Sequence, residues 1–307
     1  MNVDLHFAHI FSQYLDEQIA AIHPLGVAYG SNRVYQVETT SGQRYVLKQP
    51  KPVREDCSPF WQQMDALFGI NSTTQISVLP AIAAHLQQQP IIPIPHVIHV
   101  EPNAADPEQS YALVTHLAGV AHEPDAFPAS EALHEQLGHY VGYLHTQSYH
   151  GYGNLLMPAL QPQAHFFAAM VGQMRRIIRE FWGNEPALQE QLERLTIATT
   201  QEAIFSSAAL IMTDISANQF VYHNQQIAGV VDLDAYVIGP CEWELAMLEM
   251  SLTVPMAFRR GYEDYGKLPP FAPFRAFYRL WSYLNDPDDG YDATQFADFM
   301  ERSQYFA

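Results

Sequence analysis

Residues 211–246 read IMTDISANQFVYHNQQIAGVVDLDAYVIGPCEWELA, and the fold turns on how this stretch is read. Three short apolar runs, Ala209 to Met212, Gln219 to His223 and Ile227 to Val231, are separated by polar clusters, with Asn224-Gln225-Gln226 as the turn before the last. Asp214 follows the first run and Asp232 the third, so a hairpin brings both carboxylates to one end of a small sheet. A carboxylate directly after a buried strand is costly unless a cation meets it. Mg²⁺, held through one or two carboxylates plus substrate phosphates, fits that requirement.

The stretch resembles the catalytic core of the aminoglycoside phosphotransferase and choline kinase-like family, small-molecule relatives of the protein kinases. The family's catalytic and metal-binding aspartates have the separation of Asp214 and Asp232, and GVVDLDAYVIGPCEWELAML is similar to its acidic strand, Gly-Pro and following buried helix. The resemblance implies that Asp214 is catalytic and that Asp232 binds Mg²⁺. It departs in two places: Met212-Thr213 stand where the family has His-Gly, and the metal-binding Asn expected five residues after the catalytic Asp is Gln219, with Asn218 one position early. Either amide oxygen could serve the metal, but a strand alternates its faces, so only one of them is expected to. Asn218 is preferred, because Gln219 can then open the strand; the rival reading makes both turn or capping residues.

The 307 residues have room for about two domains, or one two-lobed unit, at roughly 100 to 200 residues per domain. Hydrophobic residues at 48% against 16% charged supply a substantial core. The net charge of −18 disfavours nucleic-acid backbone as a partner. Cys57 and Cys241 are far apart and lack metal-like spacing, so a reducing compartment is expected. MNVDLHFAHIFSQYL has no basic leader region and no apolar run reaches membrane-spanning length, so a cytoplasmic protein with no membrane partner is expected.

Residues 4 to 21 pattern as an amphipathic helix, with Phe7, Ile10, Phe11, Tyr14, Leu15 and Ile19 on one stripe and Pro24 near its end. Gly30-Ser31-Asn32-Arg33 then precedes VYQVETTSGQRYVLK, two alternating runs around Ser41-Gly42 that predict a β-hairpin closed by Lys48. Position alone makes Lys48 a solvated strand end. The small-residue turn, hairpin and strand lysine together resemble the kinase N-lobe, which implies that Ser31 and Asn32 cover the nucleotide phosphates and Lys48 contacts them. Residues 60–68 and 76–86 predict helices, the second broken or started near Pro80. A kinase-like lobe pairs its strand lysine with a helix acid. Residues 77–89 contain none, so Glu55, Asp56, Asp65 or a neutral Gln75 are the substitutes on offer. YALVTHLAG predicts a buried strand running into a linker, and the resemblance places Thr115, His116 and Leu117 at the adenine.

Further on, Ser130 is positioned to cap a helix ending at His145, a histidine with an expected architectural role. Residues 163–182 and 186–206 predict two more helices, and residues 242–252 another. The expected fold is therefore α+β and protein-kinase-like: an N-lobe with an antiparallel sheet over 1–116 and a larger, mainly helical C-lobe over 117–307. The implied activity is transfer of the ATP γ-phosphoryl group to a hydroxyl of a small molecule such as an amino alcohol, sugar or aminoglycoside. A catalytically impaired nucleotide- or partner-binding relative is the rival. Asp234 could bind a second metal or substrate, or be a solvated charge. Glu242, Glu244, Glu263 and Asp264 could form an anionic pocket for a cationic acceptor, or be ordinary solvated acids.

Overall fold

The computed structural model describes the chain except for residues 1–10, 12, 26–31, 52–57, 72–73, 104–108, 123–125, 201–206, 288–289 and 307. Its first half builds one antiparallel sheet. Strands β1 (Ile19–Leu25), β2 (Asn32–Thr39) and β3 (Arg44–Pro50) are followed by helices α1 (Pro59–Phe68) and α2 (Gln75–Leu86), then β4 (Val97–Glu101) and β5 (Tyr111–Thr115). The sheet order is β1-β2-β3-β5-β4.

The predicted hairpin is present, with Val34 opposite Lys48 and Val37 opposite Tyr45. Gly42 takes φ +84 in its turn, a conformation open to glycine at little cost. Side chains alternate across the sheet, so Val37, Leu47, Tyr111 and Leu113 join Phe11 and Leu15 in a small core on one face. The opposite parity puts Val34, Val46, Lys48 and Val114 on the other face, toward the cleft.

The helix expected over 4–21 is corrected in its second half. Residues 4–10 lie outside the described residues, but Ile19–Leu25 is an edge strand paired with β2, Pro24 opposite Tyr35. Ile19 and Ile22 pack on the small core, and an edge strand tolerates a proline because no further strand needs its missing N–H. The second helix also differs: α2 starts at Gln75 and runs through Pro80. Its buried stripe of Ile76, Leu79, Ile82, Ala83 and Leu86 outweighs the roughly 3 kcal/mol penalty of an interior proline.

The second half is mainly helical. After β6 (Val120–Ala121) come α3 (Glu131–His145), α4 (Phe166–Phe181) and α5 (Pro186–Thr200); residues 201–206 of the predicted helix lie outside the described residues. Four strands follow: β7 (Ala208–Met212), β8 (Phe220–His223), β9 (Gln226–Val230) and β10 (Tyr236–Pro240). Helices α6 (Cys241–Leu248), α7 (Pro255–Glu263), α8 (Ala272–Tyr283) and α9 (Ala293–Glu301) complete the chain. Ser130 caps α3 by accepting from Leu133 N–H at 3.3 Å. The turn between β8 and β9 is two residues, Asn224 at φ +49 and Gln225 at φ +63, the paired left-handed geometry of a tight hairpin. Gln226 already belongs to β9.

The large core joins the helices of this half to α1 and α2, with Phe68 of α1 against Phe166 and Trp243. Helices α3 and α7 meet at glycines. A Cβ on Gly138 would collide with the Phe258 carbonyl, and one on Gly261 with the Glu135 carbonyl. Gly138→Val and Gly261→Val are each expected to cost about 1–3 kcal/mol by overpacking. Urea unfolding checks this, and a loss below about 0.5 kcal/mol at both positions sinks the packing argument. Among the described residues no helix is long and apolar enough to cross a membrane.

Candidate active site

Asp214 sits two residues past the end of β7, a strand whose residues Ala208 to Met212 are wholly buried. Glu244 of α6 anchors that strand end: its Oε1 accepts from Met212 N–H at 2.7 Å and its Oε2 faces His145 Nε2 at 2.9 Å. His145 Nδ1 is 2.9 Å from the Tyr262 hydroxyl, so this histidine is a buried brace, as its architectural reading has it. Glu242, Glu244, Glu263 and Asp264, open to reading as an anionic pocket or as solvated acids, do not come together as a pocket. Helix α6 is buried on every side and carries Glu242 and Glu244 into the core, while Glu263 pairs with Arg259 and Asp264 with His139 at the surface.

A cavity of about 670 Å³ lies between the sheet and the helical half. Asn32 and Lys48 line it from the sheet, Thr115, His116 and Leu117 from the linker, and Asp214, Asn218, Gln219, Asp232 and Asp234 from the far side. Ten of the eleven residues singled out for the site or its linker, with Asp234 counted among them, thus meet in one space; Ser31 lies outside the described residues. Phe60 and Trp61 of α1 also line it, which the sequence pattern did not signal.

Lys48 Nζ is 2.6 Å from Asp232 Oδ1 and 3.5 Å from Asp234 Oδ1. Burial alone would push its ammonium down, but the charges of Asp232 and then Asp234 outweigh this and hold it well above the ordinary lysine range. Asp234 is pushed up to about 6 by burial, against the pull of Lys48, with Asp232 adding repulsion and the Asn32 hydrogen bond opposing it. Asp214 is pushed up to about 7, first by burial and then by the Asp232 charge. Its Oδ2 accepts from Gln219 Nε2 at 3.2 Å, and among the described residues its Oδ1 is buried without a hydrogen-bond partner. A carboxylate oxygen left without a partner has the chemistry to accept a proton or meet a cation.

The helix-acid pairing takes another form. Among the described residues the ion-pair partners of Lys48 are Asp232 and Asp234, both from the loop after β9. Asp65 is on the surface, bonded to Asn71, and Glu55 and Asp56 lie outside the described residues. Gln75, at the start of α2, is fully buried and accepts from Asn32 Nδ2 at 3.3 Å, and the same nitrogen donates to Asp234 Oδ2 at 2.6 Å.

Asn218 and Gln219 both fall in a 3₁₀ turn before β8, so strand alternation does not choose between them. Asn218 is exposed and its Oδ1 accepts from Ser216 Oγ at 2.6 Å, whereas Gln219 is turned to Asp214. In the linker, Thr115 N–H donates to the His96 carbonyl at 2.9 Å and His116 N–H to the Arg44 carbonyl at 3.3 Å. Among the described residues no group of three or more His, Cys, Asp or Glu is arranged to hold a metal ion by itself. One or two cleft carboxylates with ligands left for phosphates and water suit Mg²⁺ better than a metal caged by protein alone.

A sheet lobe, a helical lobe and a lysine facing two carboxylates across the cleft define the protein-kinase-like fold. A model of the phosphotransferase enzyme family (APH) matches residues 28–277, and the chain belongs to that family. A protein assigned as a fructosamine-3-kinase from Thermobifida fusca is 17% identical, with 95% of this chain and 96% of that one covered at a TM-score of 0.69. The macrolide 2'-phosphotransferase MphH from Brachybacterium faecium is 14% identical, covered at 98% and 99%, with a TM-score of 0.58. The ADP-bound aminoglycoside phosphotransferase APH(2'')-Ib is also 14% identical, covered at 98% and 96%, with a TM-score of 0.61. No curated protein sequence matches the chain significantly.

Proposed function

We propose that the chain transfers the γ-phosphoryl group of ATP to a hydroxyl of a small molecule. The observation that carries this is the convergence of Lys48, Asp214 and Asp232 on one interlobe cavity from three separate parts of the chain. The acceptor hydroxyl gives its proton to the Asp214 carboxylate, its oxygen bonds to the γ-phosphorus, and the bond to the β-γ bridging oxygen breaks to release ADP. Lys48 holds the nucleotide phosphates; the phosphate-covering role expected of Ser31 falls outside the described residues, and Asn32, the first residue of β2, has its amide turned to Gln75 and Asp234. Mg²⁺, when bound, neutralises charge on the phosphates; Asp232 would hold it, with Asn218 or Gln219 as the amide ligand. We favour Asn218, which is exposed at the cavity, over half-buried Gln219.

The linker Thr115–Leu117 receives the base, and since the N–H groups of Thr115 and His116 are engaged, Leu117 is the residue left to donate. We place the lobe boundary at residues 116–117 and the protein in the cytoplasm. The acceptor is a small alcohol, cationic or neutral; known family folds bind aminoglycosides, and one relative was solved with streptomycin and ATP.

Calorimetry with and without Mg²⁺ tests this on the wild type and Asp232→Ala. Magnesium-dependent ATP binding that weakens at least about tenfold in the variant is expected, since a charged contact is worth about 1.5–3 kcal/mol. A screen of amino alcohols, sugars and aminoglycosides for ADP release then finds the acceptor. ATP binding indifferent to Mg²⁺ and to Asp232 would favour the catalytically impaired relative instead.

A further inference from the structure

On the reading above, Asp232 has two demands on it: it meets Lys48 at 2.6 Å, and it is the carboxylate offered to the metal. A carboxylate that turns toward a metal loosens its hold on the lysine. Lys48 has a side chain only 9% exposed, and a buried ammonium left without an anion is strongly destabilised. In protein kinases a helix acid holds the lysine throughout. Here α2 offers Gln75, a neutral amide that cannot balance the charge, and it touches Asn32.

Asp234 is placed differently from Asp232. Its side chain is 7% exposed against 43% for Asp232, so Asp232 is the acid presented to solvent and Asp234 the one behind it. Both Asp234 oxygens already have partners: Oδ2 accepts from Asn32 Nδ2 at 2.6 Å and Oδ1 faces Lys48 at 3.5 Å. The Asn32 amide is shared with Gln75 at 3.3 Å. A chain of contacts therefore runs from α2 through the start of β2 to the loop after β9, and ends on the β3 lysine.

We propose that Asp234, braced by Asn32 and Gln75, is the positioning residue that holds Lys48 for the nucleotide phosphates in place of a helix acid, and that it is not a metal ligand. This rests on the phosphotransferase reading of the cleft. It gives each acid one task. Asp232 can exchange the lysine for the metal because Asp234 keeps the lysine charge balanced. It also ties the two lobes, since Lys48 and Asn32 belong to the sheet and Asp234 to the helical half.

The test compares the wild type with Asp234→Asn and with Asn32→Leu, which keeps the Asp234 carboxylate but removes its brace. Lys48 is probed in the nucleotide-free protein with Mg²⁺ present, by its rate of acylation with an N-hydroxysuccinimide ester read by mass spectrometry. Nucleotide affinity is read by calorimetry with Mg²⁺–ATP, and metal ligation by counting bound Mn²⁺ per nucleotide complex by electron paramagnetic resonance. Asp234→Asn is expected to speed acylation of Lys48 and to raise the ATP Kd by about tenfold or more, with the Mn²⁺ count unchanged. Asn32→Leu moves both in the same direction by less, and remains a test if Asp234→Asn does not fold.

A Mn²⁺ count that falls by one in Asp234→Asn with Lys48 acylation unchanged makes Asp234 a metal ligand and overturns the proposal. Wild-type ATP binding with both variants matching it in Kd and acylation also overturns it, and leaves the phosphotransferase reading standing. A wild type that binds no nucleotide overturns that reading and the phosphate role together. The acylation rates then still show whether Asp234 holds the lysine, so the two failures are told apart.

Discussion

Asp214→Asn is expected to lower kcat by about 10³-fold while leaving the Kd for Mg²⁺–ATP within about threefold of wild type. The substitution keeps the shape and the bond to Gln219 but removes the carboxylate that the proposed reaction uses as its base. General-base removal costs about 10²–10⁴-fold, and about 10³ is the middle of that range. The same site sets a pH dependence. Burial and the nearby Asp232 charge push Asp214 up to about 7, so its basic form disappears as pH falls through that value. The kcat/KM profile, which reports the free enzyme, should therefore rise with pH to about 7 and flatten above it, and Asp214→Asn should lose that limb. Steady-state ADP release across pH 5 to 9 checks both statements at about one-unit steps. A variant with near-normal kcat would remove Asp214 from the chemistry and sink its role as the base.

What was legible in the sequence follows from how local each signal is. Asp214 and Asp232 stand out because each charge ends a hydrophobic run, and the hairpin that carries Lys48 shows itself by period-two alternation around Ser41-Gly42. Parity alone then turns Lys48 toward the cleft. The bond from Asn32 to Asp234 spans 202 residues and involves no periodicity, so nothing local announces it. The segment from Ile19 fails for another reason: its spacing from Leu15 suits a helix, Ile19 and Ile22 pack on the sheet core, and pairing with β2 decides the outcome. The buried role of Glu244 is not legible because α6 is apolar on all faces except for its acids. Without an amphipathic stripe, nothing local shows that Glu242 and Glu244 are buried, or that Glu244 meets Met212 N–H and His145 in the core.

Glu249→Ala is expected to destabilise the fold by about 3–5 kcal/mol, the largest single-site stability loss foreseen for this chain. Glu249 follows α6 and is fully buried. Its Oε2 accepts from Arg275 Nε at 2.6 Å and Arg279 Nη2 at 3.0 Å, both from α8. Its Oε1 accepts from Arg275 Nη2 at 3.0 Å and from the backbone N–H groups of Tyr305 and Phe306 at 2.8 and 2.9 Å. The arginines in turn donate to carbonyls near the end of the chain, Arg279 to Met300 at 3.0 Å and to Ser303 at 2.7 Å. Two guanidinium groups, one carboxylate and the last turn of the chain thus form one buried unit. Removing the carboxylate strands two cations and two N–H groups at once, whereas Glu249→Gln keeps an acceptor and should lose less. Burial already presses Arg279 down to about 10 even with Glu249 beside it, which measures how hostile the site is to an uncompensated charge. Against a total stability of about 5–15 kcal/mol, the alanine variant stands near the limit of folding. Urea unfolding of both variants decides the matter. An alanine variant within about 1 kcal/mol of wild type would mean that water reaches the arginines readily and that the unit is not buried in solution.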